Sequence, residues 1–310
     1  MMIDERKKTG RIIQALGSSF NILCNSEVIE CFHRGKFRRS EDEATFPVVG
    51  DMVEISGDKS GYGIDKIHPR ISKISREEVG SKGRREQVII ANLKLCVIVT
   101  SVDEPPFKPR IVDRMIVSCL KGGLEPLIVL NKCDLMKNFN LKFWEDIYEK
   151  IGYKFVVTSA LTGEGIFKLK EHLSETISVF IGASGVGKSS LLNKVQPGLG
   201  IATKKVSQAT SKGRHTTTTV TMHPIDYNGF VADTPGLKEL GLWQMKRDEL
   251  AWYFEEFRPF ISECKFRDCL HIKEPGCNIK KAVLGGDISE IRYESYSRIL
   301  CTIENIPHYK

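Results

Sequence analysis

A multidomain α/β protein is predicted by three features of the sequence: short segments of alternating polarity at the N-terminus, strands alternating with helices through the middle, and a Cys/His cluster near the C-terminus. At 310 residues the chain is longer than one hydrophobic core usually supports, and it divides into units of ordinary size at 1–75, 76–245 and 246–310. No run of about 18 apolar residues occurs, which excludes a membrane-spanning helix.

In the first unit, segments 10–24, 27–34, 48–55 and 62–68 alternate in polarity and are separated by Gly, Asn and Asp. This is the pattern of a five-stranded barrel of the oligonucleotide-binding (OB) type. The loop His33-Arg34-Gly35-Lys36-Phe37-Arg38-Arg39 mixes cations with an aromatic ring, as a surface that follows phosphates and stacks on bases would. Taken alone, the same residues also allow a solvated hairpin tip. A net charge of +7 fits an RNA partner. The polar, Gly-containing stretch 75–86 reads as a linker or mobile loop.

The middle unit alternates strand and helix at 95–100, 111–120, 126–130, 141–151, 155–158, 166–173 and 177–181, which predicts a three-layer domain with a mainly parallel sheet. Strand 177–181 runs into Gly182-Ala183-Ser184-Gly185-Val186-Gly187-Lys188-Ser189, and Ser190 continues a helical pattern. This strand-to-helix turn is the context a phosphate-binding loop requires. Glycines at 182, 185 and 187 let successive N–H groups face phosphate oxygens, Lys188 reaches the β- and γ-phosphates, and the Ser189 hydroxyl binds Mg²⁺.

The base is read elsewhere. Asn131-Lys132-Cys133-Asp134 follows strand 126–130 directly. A carboxylate at Asp134 can accept from the N1–H and 2-amino groups of guanine, which adenine lacks, and an unmade buried polar pair rejects the wrong base strongly. Asn131 would brace the loops and the stem of Lys132 would pack over the ring. Thr158-Ser159-Ala160 ends the next strand, where the Ala160 N–H could reach the guanine carbonyl oxygen.

Two switch elements complete the set. Asp233-Thr234-Pro235-Gly236 ends a strand in an acidic residue suited to the Mg²⁺ shell, followed by a Gly236 N–H that can sense the γ-phosphate. Gly213-Arg214-His215-Thr216-Thr217-Thr218-Thr219 supplies a threonine for the metal; Thr217 is favoured, although sequence does not choose among the four. Many GTPases place a glutamine directly after that glycine to orient water. Here the position is Leu237, so slow intrinsic turnover is expected, with His215 the internal candidate for the missing catalytic group beside Lys188 and Thr217.

Along most GTPase chains the phosphate loop comes first. Here Asn131–Asp134 and Ser159–Ala160 precede it, which is a circular permutation: old termini are joined and a surface loop is cut, leaving the pocket intact. The permutation connects the switch at Gly236 directly to the C-terminal unit.

That unit carries Cys264-x4-Cys269-x-His271-x5-Cys277, the spacing of a closed Cys₃His zinc site. Disulfides are a poorer reading, because Cys24, Cys31, Cys96, Cys119, Cys133 and Cys301 are scattered and no signal peptide is visible, as in a cytoplasmic protein. One structural Zn²⁺ is expected to stabilise a module with little apolar core of its own.

The barrel, the permuted order N-K-C-D, S-A, G-A-S-G-V-G-K-S, G-R-H-T-T-T, D-T-P-G, and the final C-x4-C-x-H-x5-C together resemble the RsgA (YjeQ) family over nearly the whole chain. The resemblance implies an OB-type barrel, a circularly permuted P-loop GTPase domain and a zinc-binding domain. It also implies a GTP/GDP cycle that acts late in assembly of the small (30S) ribosomal subunit, with contacts to 16S rRNA and stimulation by that subunit; a monomer is expected. A nucleotide-dependent RNA-binding switch with little hydrolysis is the competing expectation. The chain departs from the pattern the resemblance implies at Asp233-Thr234, where many relatives have Asp-Ser, and at Leu93-Lys94, where a Val-Asp pair is expected.

Overall fold

The computed structural model describes residues 7–33, 46–58, 61–77, 86–199, 220–233, 242 and 244–303. Strands β1 (Lys7–Leu16), β2 (Ser19–Cys24), β3 (Glu27–His33), β4 (Met52–Asp58) and β5 (Gly61–Ile67) close on themselves, because β1 pairs with both β2 and β4 while β3 pairs with β5. The single predicted segment 10–24 is two strands. Gly17, at φ 65°, makes the turn between them and so supplies the fifth strand of the barrel. Alternation decides what lines the interior: Ile29 and Cys31 of β3 are buried, whereas Val28, Glu30 and Phe32 face out. At one end Arg70 grips the fully buried Asp51 with two bonds of 2.7 and 2.8 Å. The cationic loop 34–39 lies outside the described residues.

The stretch expected as a linker is, at its described flanks, a β-hairpin of β6 (Lys73–Glu77) and β7 (Glu86–Ala91). Ile74, Val88 and Ile90 are buried, and on the outer side the Glu86 carboxylate accepts from Lys73 Nζ and Ser75 Oγ, both at 2.6 Å. Pairing of polar groups across the hairpin gives a strand a linker's composition.

The central sheet runs β10 (Lys154–Val157), β9 (Glu125–Asn131), β8 (Leu95–Ser101), β11 (Ile177–Ile181), β13 (Gly229–Asp233), all parallel, with β12 (Thr221–Ile225) antiparallel at the edge. Every residue of β8 is buried because both faces are covered. Cys96 and Ile98 pack under α1 (Pro109–Lys121) and beside Tyr148 of α2 (Leu141–Glu149), while Leu95, Val97 and Val99 pack under α3 (Ile166–Leu173) and α4 (Lys188–Val195). Leu93 is buried in the first of these cores. The sheet meets the barrel where Gln14 of β1 pairs with Thr221 of β12.

The C-terminal unit contains α5 (Arg258–Ile261), α6 (Asn278–Gly285) and α7 (Glu290–Leu300). Its core is larger than expected: Leu250, Phe254, Phe257, Tyr296 and Ile299 bury each other, and Val117 of α1 joins them, so part of this core is borrowed from the nucleotide domain.

Candidate nucleotide-binding site and metal cluster

The phosphate-loop sequence forms the turn between β11 and α4. Two of its glycines are required by neighbours rather than by flexibility alone. A Cβ at Gly187 would stand 2.2 Å from Asn131 Nδ2, and one at Gly182 would stand 2.2 Å from the Val99 carbonyl oxygen. Both also have positive φ, 99° and 147°. Val186 turns inward and is buried, Ala183 is half-buried, and Ser184 and Gly185 face solvent. The Lys188 ammonium donates to the carbonyls of Gly182 (2.7 Å) and Ala183 (2.9 Å). No side chain caps the N-terminus of α4 among the described residues, and Ser189 and Ser190 stand in its first turn, where backbone N–H groups and the helix dipole favour an anion.

Asn131, at the end of β9 and 1 % exposed, is the hub of the site. Its Nδ2 donates to the Val186 carbonyl at 2.8 Å. Its Oδ1 accepts from the Ala160 N–H at 3.1 Å and from the Thr158 hydroxyl at 3.3 Å. One amide thus ties the phosphate loop to the loop after β10. Lys132 follows at φ 62°, a left-handed turn that throws the chain outward, and its ammonium donates to the Glu104 carbonyl. Asp134 is exposed, and its Oδ1 accepts from the Ser159 hydroxyl at 2.5 Å, which in turn accepts from the Thr162 N–H at 3.1 Å. Cys133 lies against Glu164 at 3.3 Å; burial and that carboxylate raise its thiol to about 11, so it stays protonated at neutral pH.

Sequence reasoning missed the segment 103–107. Glu104 supplies the carbonyl that holds Lys132, Pro105 lies 3.5 Å from a Cβ position on Gly185, and Pro105 and Pro106 share a small pocket with Ala183 and Val186. The only trace in the sequence is the turn-forming run Asp103-Glu104-Pro105-Pro106 after a strand. Asp233 is the last residue of β13 and pairs with Thr221 of β12. His215, Thr217, Gly236 and Leu237 lie outside the described residues.

In the C-terminal unit the donor atoms of Cys264, Cys269, His271 and Cys277 all fall within 4.8 Å of one another. His271 Nδ1 is 3.5 Å from the sulfurs of both Cys264 and Cys277, and those sulfurs are 4.0 Å apart. A tetrahedral ion with bonds of ~2.3 Å to sulfur sets that edge near ~3.8 Å, so the four donors fit one such ion. All nine cysteines are free thiols. His271 adopts φ 60°, and the turn around it is pinned from outside. The Glu274 carboxylate accepts from the N–H groups of Leu270, Ile272 and Lys273, while Tyr293 and Tyr296 of α7 donate to the His271 and Leu270 carbonyls at 2.7 and 2.9 Å. Burial raises the Cys269 thiol to about 12 and lowers His271.

Comparison with known proteins agrees with this architecture. The profile of the RsgA GTPase family matches residues 67–243, and that of the RsgA N-terminal domain matches residues 9–64. The small ribosomal subunit biogenesis GTPase RsgA of Gemmatimonas aurantiaca is 39 % identical over 296 residues, covering 94 % of this chain and 96 % of that protein. Its namesake from Caldanaerobacter subterraneus subsp. tengcongensis is 38 % identical, covering 94 % of each. Among solved structures, YjeQ from Thermotoga maritima superposes with a TM-score of 0.78 at 35 % identity, covering 95 % of this chain and 98 % of that one. YloQ, described as a circularly permuted GTPase, superposes at 0.76 with 28 % identity over the full length of both chains. With two family profiles matched in tandem and relatives of this identity aligned almost end to end, the chain belongs to the RsgA family of circularly permuted GTPases.

Proposed function

We propose that this chain hydrolyses GTP to GDP and phosphate as a late maturation factor of the small (30S) ribosomal subunit, and that this subunit stimulates the reaction. The observation that carries the nucleotide reading is the Asn131 hub, which holds the phosphate loop and the Ser159-Ala160 loop in one rigid frame. The small-subunit reading rests on the relatives' names and their near-complete alignment. The barrel (1–75) and the metal-bearing unit (246–310) are the RNA-binding arms, directed at 16S rRNA, on either side of the nucleotide domain (76–245). The working form is a monomer.

Each site residue has a physical role. The backbone of Gly182 to Ser190 cradles the phosphates, and Lys188 exchanges its two carbonyl partners for β- and γ-phosphate oxygens, a stronger charge-assisted pairing. Ser189, Thr217 and Asp233 would hold Mg²⁺, which supplies charge neutralisation between the β- and γ-phosphates. Asp134, with one oxygen already oriented by Ser159, presents its carboxylate to the guanine edge, and the Lys132 stem covers the ring. Gly236 reads the γ-phosphate, and His215 orients the attacking water in place of the glutamine that Leu237 displaces. Cys264, Cys269, His271 and Cys277 hold one structural Zn²⁺, since protein donors fill all four positions.

Base selection gives the direct test of the site. Asp134→Asn replaces an acceptor with a donor, which mismatches the 2-amino group of guanine and matches the 2-oxo group of xanthine. GTP affinity is expected to fall by about 100-fold while xanthosine triphosphate binding rises. Unchanged GTP affinity would remove Asp134 from the site.

A further inference from the structure

Helix α1 joins two regions that the motifs treat as separate. At its N-terminal side the chain passes through the nucleotide loops: the Val102 N–H donates to the Asn131 carbonyl at 3.1 Å, the Ser101 hydroxyl to the Pro105 carbonyl at 2.6 Å, and the Glu104 carbonyl receives the Lys132 ammonium. Pro105 lies over Gly185 of the phosphate loop. Along its length α1 is covered twice. Val112, Met115, Ile116 and Cys119 pack into the sheet core, while Val117 packs into the core of the C-terminal unit.

Between these two contacts sits a buried charge network. Asp113 of α1 is fully buried and Arg292 of α7 is 2 % exposed. Arg292 Nη1 donates to Asp113 Oδ1 at 2.5 Å, and its Nε and Nη2 donate to the two oxygens of Glu256 at 2.7 and 3.2 Å. Tyr148 of α2 donates to the same Asp113 oxygen at 2.9 Å, and the guanidinium lies 4.6 Å over the Phe254 ring. A lone guanidinium is thus shared between two carboxylates from different units, with every contact made inside the protein. Buried ion pairs of this kind contribute little net stability compared with an apolar replacement, but removal of one partner leaves an uncompensated buried charge, so the pair holds its elements together. The next residues of α7 extend the chain of contacts, because Tyr293 and Tyr296 hold the carbonyls of His271 and Leu270 within the metal cluster.

We propose that Asp113 and Arg292 are positioning residues for nucleotide binding. Through this clasp the metal-bearing unit fixes the axial and rotational setting of α1, and α1 carries segment 101–107 into the place where Glu104 anchors Lys132 and Pro105 backs the phosphate loop. This route runs through α1 to the guanine-reading and phosphate loops and does not depend on the switch sequence at Gly236. It rests on the nucleotide reading of the site. It also means that displacement of the C-terminal unit by a partner would loosen bound nucleotide without any contact at the pocket.

The test compares binding of a fluorescently labelled GDP to the full-length wild type and to Arg292→Met, Arg292→Lys and Ile299→Ala, with thermal midpoints recorded for each. Ile299 is buried in the same C-terminal core, and its apolar side chain offers the clasp neither charge nor hydrogen bond, so it controls for general destabilisation. The clasp predicts a loss of GDP affinity of about tenfold in Arg292→Met, a smaller loss in Arg292→Lys, and wild-type affinity in Ile299→Ala even where its midpoint falls further. Equal GDP affinity in Arg292→Met and wild type overturns the proposal, as does an equal loss in Ile299→Ala. Failure of the nucleotide reading has a separate signature, because a wild type that binds no guanine nucleotide overturns both.

Discussion

Asn131 concentrates more of the site than any other side chain. Truncation to Ala would strand the Val186 carbonyl and the Ala160 N–H at once, and an unsatisfied buried polar group costs about 1–3 kcal/mol. Asn131→Ala is therefore expected to lose roughly 2–3 kcal/mol in urea unfolding and to lose guanine nucleotide binding with it; a stable variant that still binds GDP would show the hub to be dispensable. Glu86 gives a prediction in pH. Burial alone would raise its pKa, but the bonds from Lys73 and Ser75 prevail and lower it below its ordinary 4.5. A lowered folded-state value stabilises the protein above the unfolded-state value, and that contribution is lost as pH falls through the lowered one. Because its side chain is 26 % exposed, the effect is small: Glu86→Gln should cost below about 1 kcal/mol at pH 7, and the two unfolding curves should converge as pH falls through the lowered value. A difference that does not shrink with acidification would assign the cost to packing.

The elements whose residues alternate or repeat were legible in the sequence, and those held by backbone or cross-strand contacts were not. The strand and helix periods of β8 to α4 follow directly from apolar spacing, since each strand is buried on both faces. The β1–β2 turn was hidden because the alternation runs straight through Gly17. The β6–β7 hairpin was hidden because Ser75, Arg76, Glu86 and Gln87 satisfy one another across it. Segment 103–107 acts through a carbonyl and two prolines, which leave no side-chain chemistry to recognise. The four metal donors were legible from spacing, whereas the aromatic core above them joins Phe254 and Phe257 to the distant Tyr296. At this scale the four-donor cluster of Cys264, Cys269, His271 and Cys277 is the decisive element. Protein purified without added metal should carry about one equivalent of zinc, and Cys277→Ser should lose it and expose the C-terminal helices to protease. Full resistance to protease in the metal-free variant would mean that the core of Leu250, Phe254 and Tyr296 suffices without the ion.

Across the whole molecule, the nucleotide sheet is flanked by two units that each touch it through a few defined contacts. The barrel is joined by the Gln14–Thr221 pair and by the Val49–Ile90 bridge, and the C-terminal unit is joined through α1. The water-orienting group belongs to this scale, since a partner that contacts the sequence around His215 would set its position. His215→Ala is expected to reduce subunit-stimulated hydrolysis by about 100-fold and to leave GTP affinity nearly unchanged; retained stimulation would assign the role to the partner. The account as a whole is tested most directly by measuring GTP hydrolysis by the full chain alone, with small ribosomal subunits and with large ones, with ATP as the control nucleotide. It predicts slow turnover alone, strong stimulation by small subunits only, and no ATP hydrolysis. Stimulation by large subunits instead, or by neither, would contradict it.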